Sequence, residues 1–238
     1  MWSISGSQVK INEIFLSLQG EGVYQGVPMV FIRMQGCNLL PGCSFCDTQY
    51  ARDPDGGFEK TIDEVVGNVS KLLPYYGGWV CITGGEPLFQ FMELEQLVRK
   101  LKEGGYKVTV ETNGSYKPPK WYTLVDSWDA DIKCPTSGVC GVSNELWLGL
   151  RRQDQVKFVV SSSDDLQFVK DVLNRNKTYN ATVLISPAAH VLLDERAGKI
   201  EEYWNKEWLQ ECWQFCVENR LRFSLQIHKM VYGNRRGV

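Results

Sequence analysis

Residues 79–112, WVCITGGEPLFQFMELEQLVRKLKEGGYKVTVET, decide the fold. WVCIT reads as a strand, MELEQLVRKLKE as a helix closed by Gly104-Gly105, and YKVTVET as the next strand. A strand, a helix and a second strand in this order imply parallel strands joined by a right-handed crossover. Upstream, VKINEIFLSLQ alternates and ends in the turn QGEG, and PMVFIRMQG reads as a buried strand. A cysteine-rich loop runs from Gly36 to about Gly57, and Thr61 with Glu64 forms a capping-box pattern for a helix reaching the Pro74 region. Downstream, after a loop from Asn113 to Pro119, SWDADIK, VKFVVS and ATVLIS read as strands. Ser163 is placed to cap a helix to about Asn174, with Asp164 and Asp165 favouring its N-terminus. A long helix from about Glu201 to Asn219 and a last strand, RFSLQIH, complete the pattern.

About six mostly parallel strands predict an α/β fold, an incomplete TIM-type barrel rather than an open Rossmann sheet. No repeat or linker divides the chain, so residues 1–238 are expected to form one domain. The strand ends carry Thr83, Glu111 to Asn113, Asp131, Lys133, Ser161, Ser186 and His228. Ligands of parallel α/β folds bind at the carboxyl ends of strands, which marks this rim as the functional one.

Composition narrows the chemistry. The 238 residues are 43% hydrophobic, 12% aromatic and 23% charged, which places the chain among globular proteins rather than disordered ones. A net charge of −2 gives no basic field to attract nucleic acid or an anionic membrane surface. The longest apolar stretches, ATVLI and HVLL, fall far below the roughly 18 residues of a membrane span. MWSISGSQVK lacks the basic and apolar regions of a secretory signal, so the expected compartment is the cytoplasm. There, eight cysteines point to metal binding, catalysis or burial rather than to disulfides, and with two histidines imidazole-rich metal sites are excluded.

Cys37, Cys43 and Cys46 lie in QGCNLLPGCSFCDTQY, separated by five residues and then two. Three thiolates on one loop suit zinc or an iron–sulfur cluster. A structural zinc wants a fourth protein ligand, whereas a cluster held by three leaves one iron open. Cys81, Cys134, Cys140, Cys212 and Cys216 could supply a fourth thiolate, but are expected to be buried thiols. ITGGEP, Ile82 to Pro87, ends the next strand with paired glycines that let a ligand approach the backbone, and Glu86 could bind an ammonium.

The three-cysteine loop followed by GGEP resembles the radical S-adenosylmethionine superfamily. The first gap of the loop is longer than is usual there, and this gap varies in the 7-carboxy-7-deazaguanine synthase branch. FLSLQGEG (15–22), FIRMQGCN (31–38), CDT (46–48), TGGEP, ETNG (111–114), DIKCP (131–135) and the ending HKMVYGNRRGV are similar to that branch. The matches run from near residue 11 to the C-terminus.

The resemblance implies that Cys37, Cys43 and Cys46 hold a [4Fe–4S] cluster whose open iron chelates S-adenosylmethionine, giving a 5′-deoxyadenosyl radical. It implies Gly85 and Glu86 at the methionine end of that cofactor, and Glu111, Asn113, Lys133, Cys134 and Ser186 around its ribose or carboxylate. Ser-Pro-Lys is frequent in the family where this chain has Cys134-Pro135-Thr136. The implied substrate is 6-carboxy-5,6,7,8-tetrahydropterin, and the implied product 7-carboxy-7-deazaguanine, formed with loss of ammonia. Leu18, Gln19, Gly20 and Glu21 would bind its flat edge. Arg33 would grip its carboxylate. Thr83, His228 and the terminal carboxylate of Val238 would face the same space. Thr48 would ligate Mg²⁺ together with the substrate carboxylate, with Asp47 in support. A homodimer and an electron donor such as flavodoxin or ferredoxin are implied as well. Other readings are an activase that installs a glycyl radical on a partner, and a non-enzymatic zinc-stapled module; the activase leaves QGEG, Arg33 and CDT without a purpose.

Overall fold

The computed structural model describes residues 7–74, 77–139, 141–176, 179–188 and 205–238. Nine strands form one sheet: β1 (Gln8–Leu18), β2 (Pro28–Met34), β3 (Phe58–Thr61), β4 (Trp79–Gly84), β5 (Lys107–Thr112), β6 (Ser127–Asp131), β7 (Gln155–Val160), β8 (Thr182–Pro187) and β9 (Arg222–Phe223). Their order is β3-β1-β2-β4-β5-β6-β7-β8-β9. β1 is antiparallel to β2 and β3, and every pairing from β2 to β9 is parallel. The sheet does not close, as expected for an incomplete barrel.

Successive residues of a strand face opposite sides. Val30, Ile32, Val80, Ile82, Val108, Val110, Val156 and Phe158 therefore pack on one face with the helices. There α1 (Ile62–Leu72), α2 (Phe91–Glu103), α3 (Ser163–Arg175) and α4 (Lys206–Asn219) turn apolar stripes inward, and each fully buried leucine of α2 contributes roughly 1.5–3 kcal/mol. The intervening residues line the concave face. Near the amino ends of β2 and β4 these are Met29, Phe31 and Cys81, packed with Phe15 and Trp79.

The start of α1 is as the sequence predicts: Glu64 N donates to Thr61 Oγ1, and Thr61 N donates back to Glu64 Oε2. Other expectations are corrected. Ser162, in extended backbone, caps α3 by accepting from Asp165 N, which frees the Ser163 hydroxyl to donate to Glu211. In RFSLQIH only Arg222–Phe223 pairs with β8; a short helix, α5 (Ile227–Tyr232), begins at Ile227, so His228 stands on a helix. The regular strand–helix alternation breaks twice, because 3-10 turns at Tyr122–Leu124 and Glu145–Gly149 replace helices after β5 and β6. Trp121, Trp128 and Trp147 fill that gap, with successive ring centroids 5.7 and 5.2 Å apart. The expected helix start near Glu201 and the thiol Cys140 lie outside the described residues.

The turn between β1 and β2 crosses the concave face. Gly22 N donates to Ser224 Oγ, Val23 N to Gln155 Oε1 on β7, and Ile227 N to Gly20 O. These bonds tie the antiparallel edge to the far side of the sheet and curl it around one cavity.

Candidate active site

The cavity opens at the carboxyl ends of the parallel strands, where β2 runs into the cysteine loop. Cys37, Cys43, Cys46 and Thr48 all line it, each thiol partly exposed. The loop is braced at both ends: Gly36 N and Cys37 N donate to Ala51 O and Arg52 O, and Ser44 N donates to Ser137 O. Asn113 Nδ2 lies 3.8 Å from Cys37 Sγ, and Thr48 Oγ1 lies 3.8 Å from Cys46 Sγ. Burial raises the Cys37 and Cys43 thiols, and neighbouring thiols of the triplet raise both further. Three thiols brought together on one fixed loop fit a cationic iron–sulfur cluster, which would favour their thiolate forms on binding. Among the described residues no three His, Cys, Asp or Glu side chains stand close enough to hold a single metal ion. One zinc would draw its sulfurs to within roughly 4 Å of each other, whereas a cluster gives each thiolate its own iron and a wider triangle. Cys81, Cys134, Cys212 and Cys216 are buried and line no part of the cavity; burial pushes Cys212 and Cys216 up to about 12.

The GGEP segment locks the loop to the sheet. Gly84 has φ +144, and a Cβ on Gly85 would stand 2.2 Å from Gly36 O and 2.5 Å from Ala51 O. Gly85 N donates to Met34 O, and Glu86 N to Gly36 O. The Glu86 carboxylate is fully buried and already holds three donors: Leu88 N at 2.9 Å, Thr112 Oγ1 at 2.8 Å and Asn113 N at 2.6 Å. Burial raises it to about 7 against the pull of those bonds. The geometry makes it an internal brace between the ends of β4 and β5, not a cavity wall.

The sheet register sets a polar row across the concave face. Arg33 on β2 is paired with Thr83 on β4, and Glu111 on β5 with Asp129 on β6. Thr83 Oγ1 donates to Glu111 Oε2 at 2.8 Å, and Gln19 Nε2 donates to Glu111 Oε1 at 2.9 Å. Arg33 Nε donates to Glu13 Oε1 at 2.7 Å. One step along, Lys157 Nζ meets Glu21 at 2.9 Å, Asp129 at 3.4 Å and Asp131 at 3.8 Å, and Lys133 Nζ meets Asp131 at 2.5 Å.

Leu18, Gln19, Gly20, Glu21, Arg33, Thr83, Gly85, Glu111, Asn113, Lys133, His228 and Val238 all line this cavity with the cysteine loop. His228 packs against Gly20, where a Cβ would meet its Nδ1 at 2.0 Å, and burial lowers its pKa. Glu86, Cys134 and Ser186 are buried and do not reach the cavity. The sequence reading misses Glu13, which lies off the cavity wall but holds Arg33, and Tyr50, Asp129, Lys157 and Gln226, which reach the cavity. The alternation of SWDAD, which puts Asp129 and Asp131 on one face, was the available signal for Asp129.

The fold and the loop define a class. Residues 31–127 match the model of the Radical SAM superfamily, a family whose chemistry rests on a [4Fe–4S] cluster and S-adenosylmethionine. The crystal structure of QueE from Escherichia coli shares the fold, with a TM-score of 0.61 at 19% identity over 92% of this chain and 93% of that one. The 7-carboxy-7-deazaguanine synthase of Methanospirillum hungatei is 44% identical over 76% of this chain and 73% of its own length. That of Pyrobaculum aerophilum is 36% identical over 97% of both chains. The chain belongs to the 7-carboxy-7-deazaguanine synthase family.

Proposed function

We propose that this chain converts 6-carboxy-5,6,7,8-tetrahydropterin to 7-carboxy-7-deazaguanine and ammonia, a step of queuosine and related 7-deazapurine biosynthesis. Substrate equals product plus ammonia in atoms and electrons, so the conversion is redox-neutral overall. When bound, the cluster and S-adenosylmethionine supply the carbon radical that takes a hydrogen atom from the pterin. The observation that carries this reading is the polar row Arg33–Thr83–Glu111 in the same cavity as the three-thiol loop.

Cys37, Cys43 and Cys46 would each hold one iron, and Asn113 would orient Cys37. Gly85, packed against the base of the cysteine loop, borders the cavity where the cofactor would sit, flanked by Glu111, Asn113 and Lys133; Glu86 would fix their positions from behind. Arg33, its Nε engaged by Glu13, keeps its terminal nitrogens for the substrate carboxylate. Gln19 and Thr83 are oriented by Glu111 to meet the ring, with Leu18, Gly20, Glu21 and His228 closing around it and the Val238 carboxylate at the mouth. Thr48 offers one hydroxyl, enough for a Mg²⁺ that keeps waters and takes the substrate carboxylate. Asp47, paired with Lys229 at 2.5 Å, borders that place.

A single domain acts as one protomer of a homodimer in the cytoplasm, with Trp213 and Val217 exposed on α4 for the contact. A flavodoxin- or ferredoxin-type protein supplies the electron. Among the described residues no helix is long and apolar enough to cross a membrane. The test is steady-state kinetics of the reconstituted protein with Arg33→Lys and Thr48→Ala. Loss of the bidentate fork in Arg33→Lys raises KM for the pterin about tenfold or more. Thr48→Ala removes stimulation by Mg²⁺. A wild-type KM in Arg33→Lys, or undiminished stimulation by Mg²⁺ in Thr48→Ala, would refute the respective role.

A further inference from the structure

The polar row does not end at Glu111. Its next member, Asp129, has a side chain 5% exposed, and its Oδ2 lies 3.4 Å from Lys157 Nζ. Asp129 Oδ1 is buried with no hydrogen-bond partner among the described residues, yet the residue lines the cavity. A buried carboxylate oxygen without a donor is costly to keep, and it persists where a ligand supplies the donor. Burial, and with it the charges of Glu111, Asp131 and Glu21, push the Asp129 carboxyl up to about 7 despite Lys157. Glu21, Asp129 and Asp131 share Lys157, Asp131 also meets Lys133, and Glu111 is held by the neutral donors Gln19 and Thr83. The floor of the cavity therefore asks for hydrogen-bond donors, not for another acceptor.

We propose that Asp129 Oδ1 accepts a hydrogen bond from the exocyclic amino group of the substrate's pyrimidine edge, and that this contact selects 2-amino pterins. This rests on the pterin reading of the site. Arg33 and Asp129 sit three strand steps apart on one level of the sheet, an arc of about 14 Å that curvature shortens. In the pterin, the C6 carboxylate and the 2-amino group stand at opposite ends of the fused ring. An arginine at one end of the row and an acceptor at the other read both ends, with Gln19 and Thr83 between them. Lys157 is a positioning residue, since it engages Oδ2 at 3.4 Å and leaves Oδ1 for the ring. Asparagine is a poor substitute for Asp129, because its one carboxamide oxygen cannot occupy both positions and its NH2 would face either Lys157 or the amino group.

The experiment compares 6-carboxy-5,6,7,8-tetrahydropterin with its 2-desamino counterpart on reconstituted wild type and Asp129→Asn. Wild type is expected to prefer the amino substrate by about tenfold or more in kcat/KM, because the analogue leaves a buried acceptor unpaired. Asp129→Asn is expected to raise KM for the amino substrate and to shrink the preference to within about twofold. A variant that loses activity equally on both compounds, its preference intact, shows a structural role only and overturns the proposal. The wild-type comparison needs no variant: equal turnover of both compounds also overturns it while leaving the pterin reading in place. Wild type that makes no 7-carboxy-7-deazaguanine at all overturns the pterin reading, and this proposal with it.

Discussion

Glu13 and Arg33 are register partners across the antiparallel β1–β2 ladder, and Arg33 Nε donates to Glu13 Oε1 at 2.7 Å. The Tyr50 hydroxyl donates to that same oxygen at 3.1 Å, and the Arg236 guanidinium sits 3.5 Å over the Tyr50 ring. Through these contacts the C-terminal segment, the loop after Thr48 and the substrate arginine are held as one unit. Glu13→Ala is expected to raise KM for the pterin about tenfold with a smaller change in kcat, since one charged hydrogen bond that orients Arg33 is lost. Unchanged KM in steady-state assays would contradict that role.

The Glu86 brace concerns stability more than chemistry. Glu86→Ala strands three buried donors from Leu88, Thr112 and Asn113, at a cost of about 3 kcal/mol or more. Glu86→Gln keeps the shape but turns an amide donor toward at least one of these donors, so it too is expected to be destabilised. Urea midpoints of the metal-free proteins measure this. A Gln variant as stable as wild type would show that the carboxylate is not the brace.

Gly85→Ala tests the seam between the sheet and the cysteine loop. The new Cβ would press on two backbone carbonyls, those of Gly36 and Ala51, which cannot swing aside as a side chain can. The base of the loop must then move. The variant is expected to keep its helical circular dichroism but to retain much less iron and sulfide after anaerobic reconstitution. Full cluster content would contradict the close packing at Gly85.

Glu21 gives the acid limb of stability a specific source. Burial alone would raise its carboxyl, but Lys157 and the hydrogen bonds of Gln226 and Lys157 outweigh burial and hold it at about 2. A carboxyl depressed in the folded state contributes stability above its ordinary range and loses it as pH falls toward the folded value. Between about pH 5 and pH 3 wild type is expected to lose more stability than Glu21→Gln, which has no proton to take up there. Parallel acid limbs in urea titrations would contradict the Glu21–Lys157 linkage.

The sheet, four of the helices and the cysteine loop are legible in the sequence because long alternating or amphipathic stretches and the turn glycines carry them. β3 is not, since FEKT is short and polar at an edge and is fixed only by its ladder with β1. Ser162 and Ser163 are both competent caps by residue type, and only backbone geometry separates them. RFSLQIH alternates like a strand, yet the tie of Ile227 N to Gly20 O starts a helical turn there. In the site, residue type and motif bring the thiols, Arg33, Gln19 and Thr83 to notice. Glu86 stands beside the correct motif, but its partners are backbone amides and a hydroxyl supplied by other segments, so its filled state is invisible until the chain is folded. Asp129 is hidden for the opposite reason: an aspartate in SWDAD is ordinary until the register with Glu111 puts it in the row.

The most direct test of the account is whether this cavity performs the ring contraction. Anaerobically reconstituted protein would be given reductant, S-adenosylmethionine, Mg²⁺ and 6-carboxy-5,6,7,8-tetrahydropterin, and the products followed by mass spectrometry. Wild type is expected to form 7-carboxy-7-deazaguanine and Cys43→Ala to form none. Wild-type protein with verified fold and cluster content that releases no 7-carboxy-7-deazaguanine would contradict the assigned reaction, and one that also releases no 5′-deoxyadenosine would contradict the radical chemistry altogether.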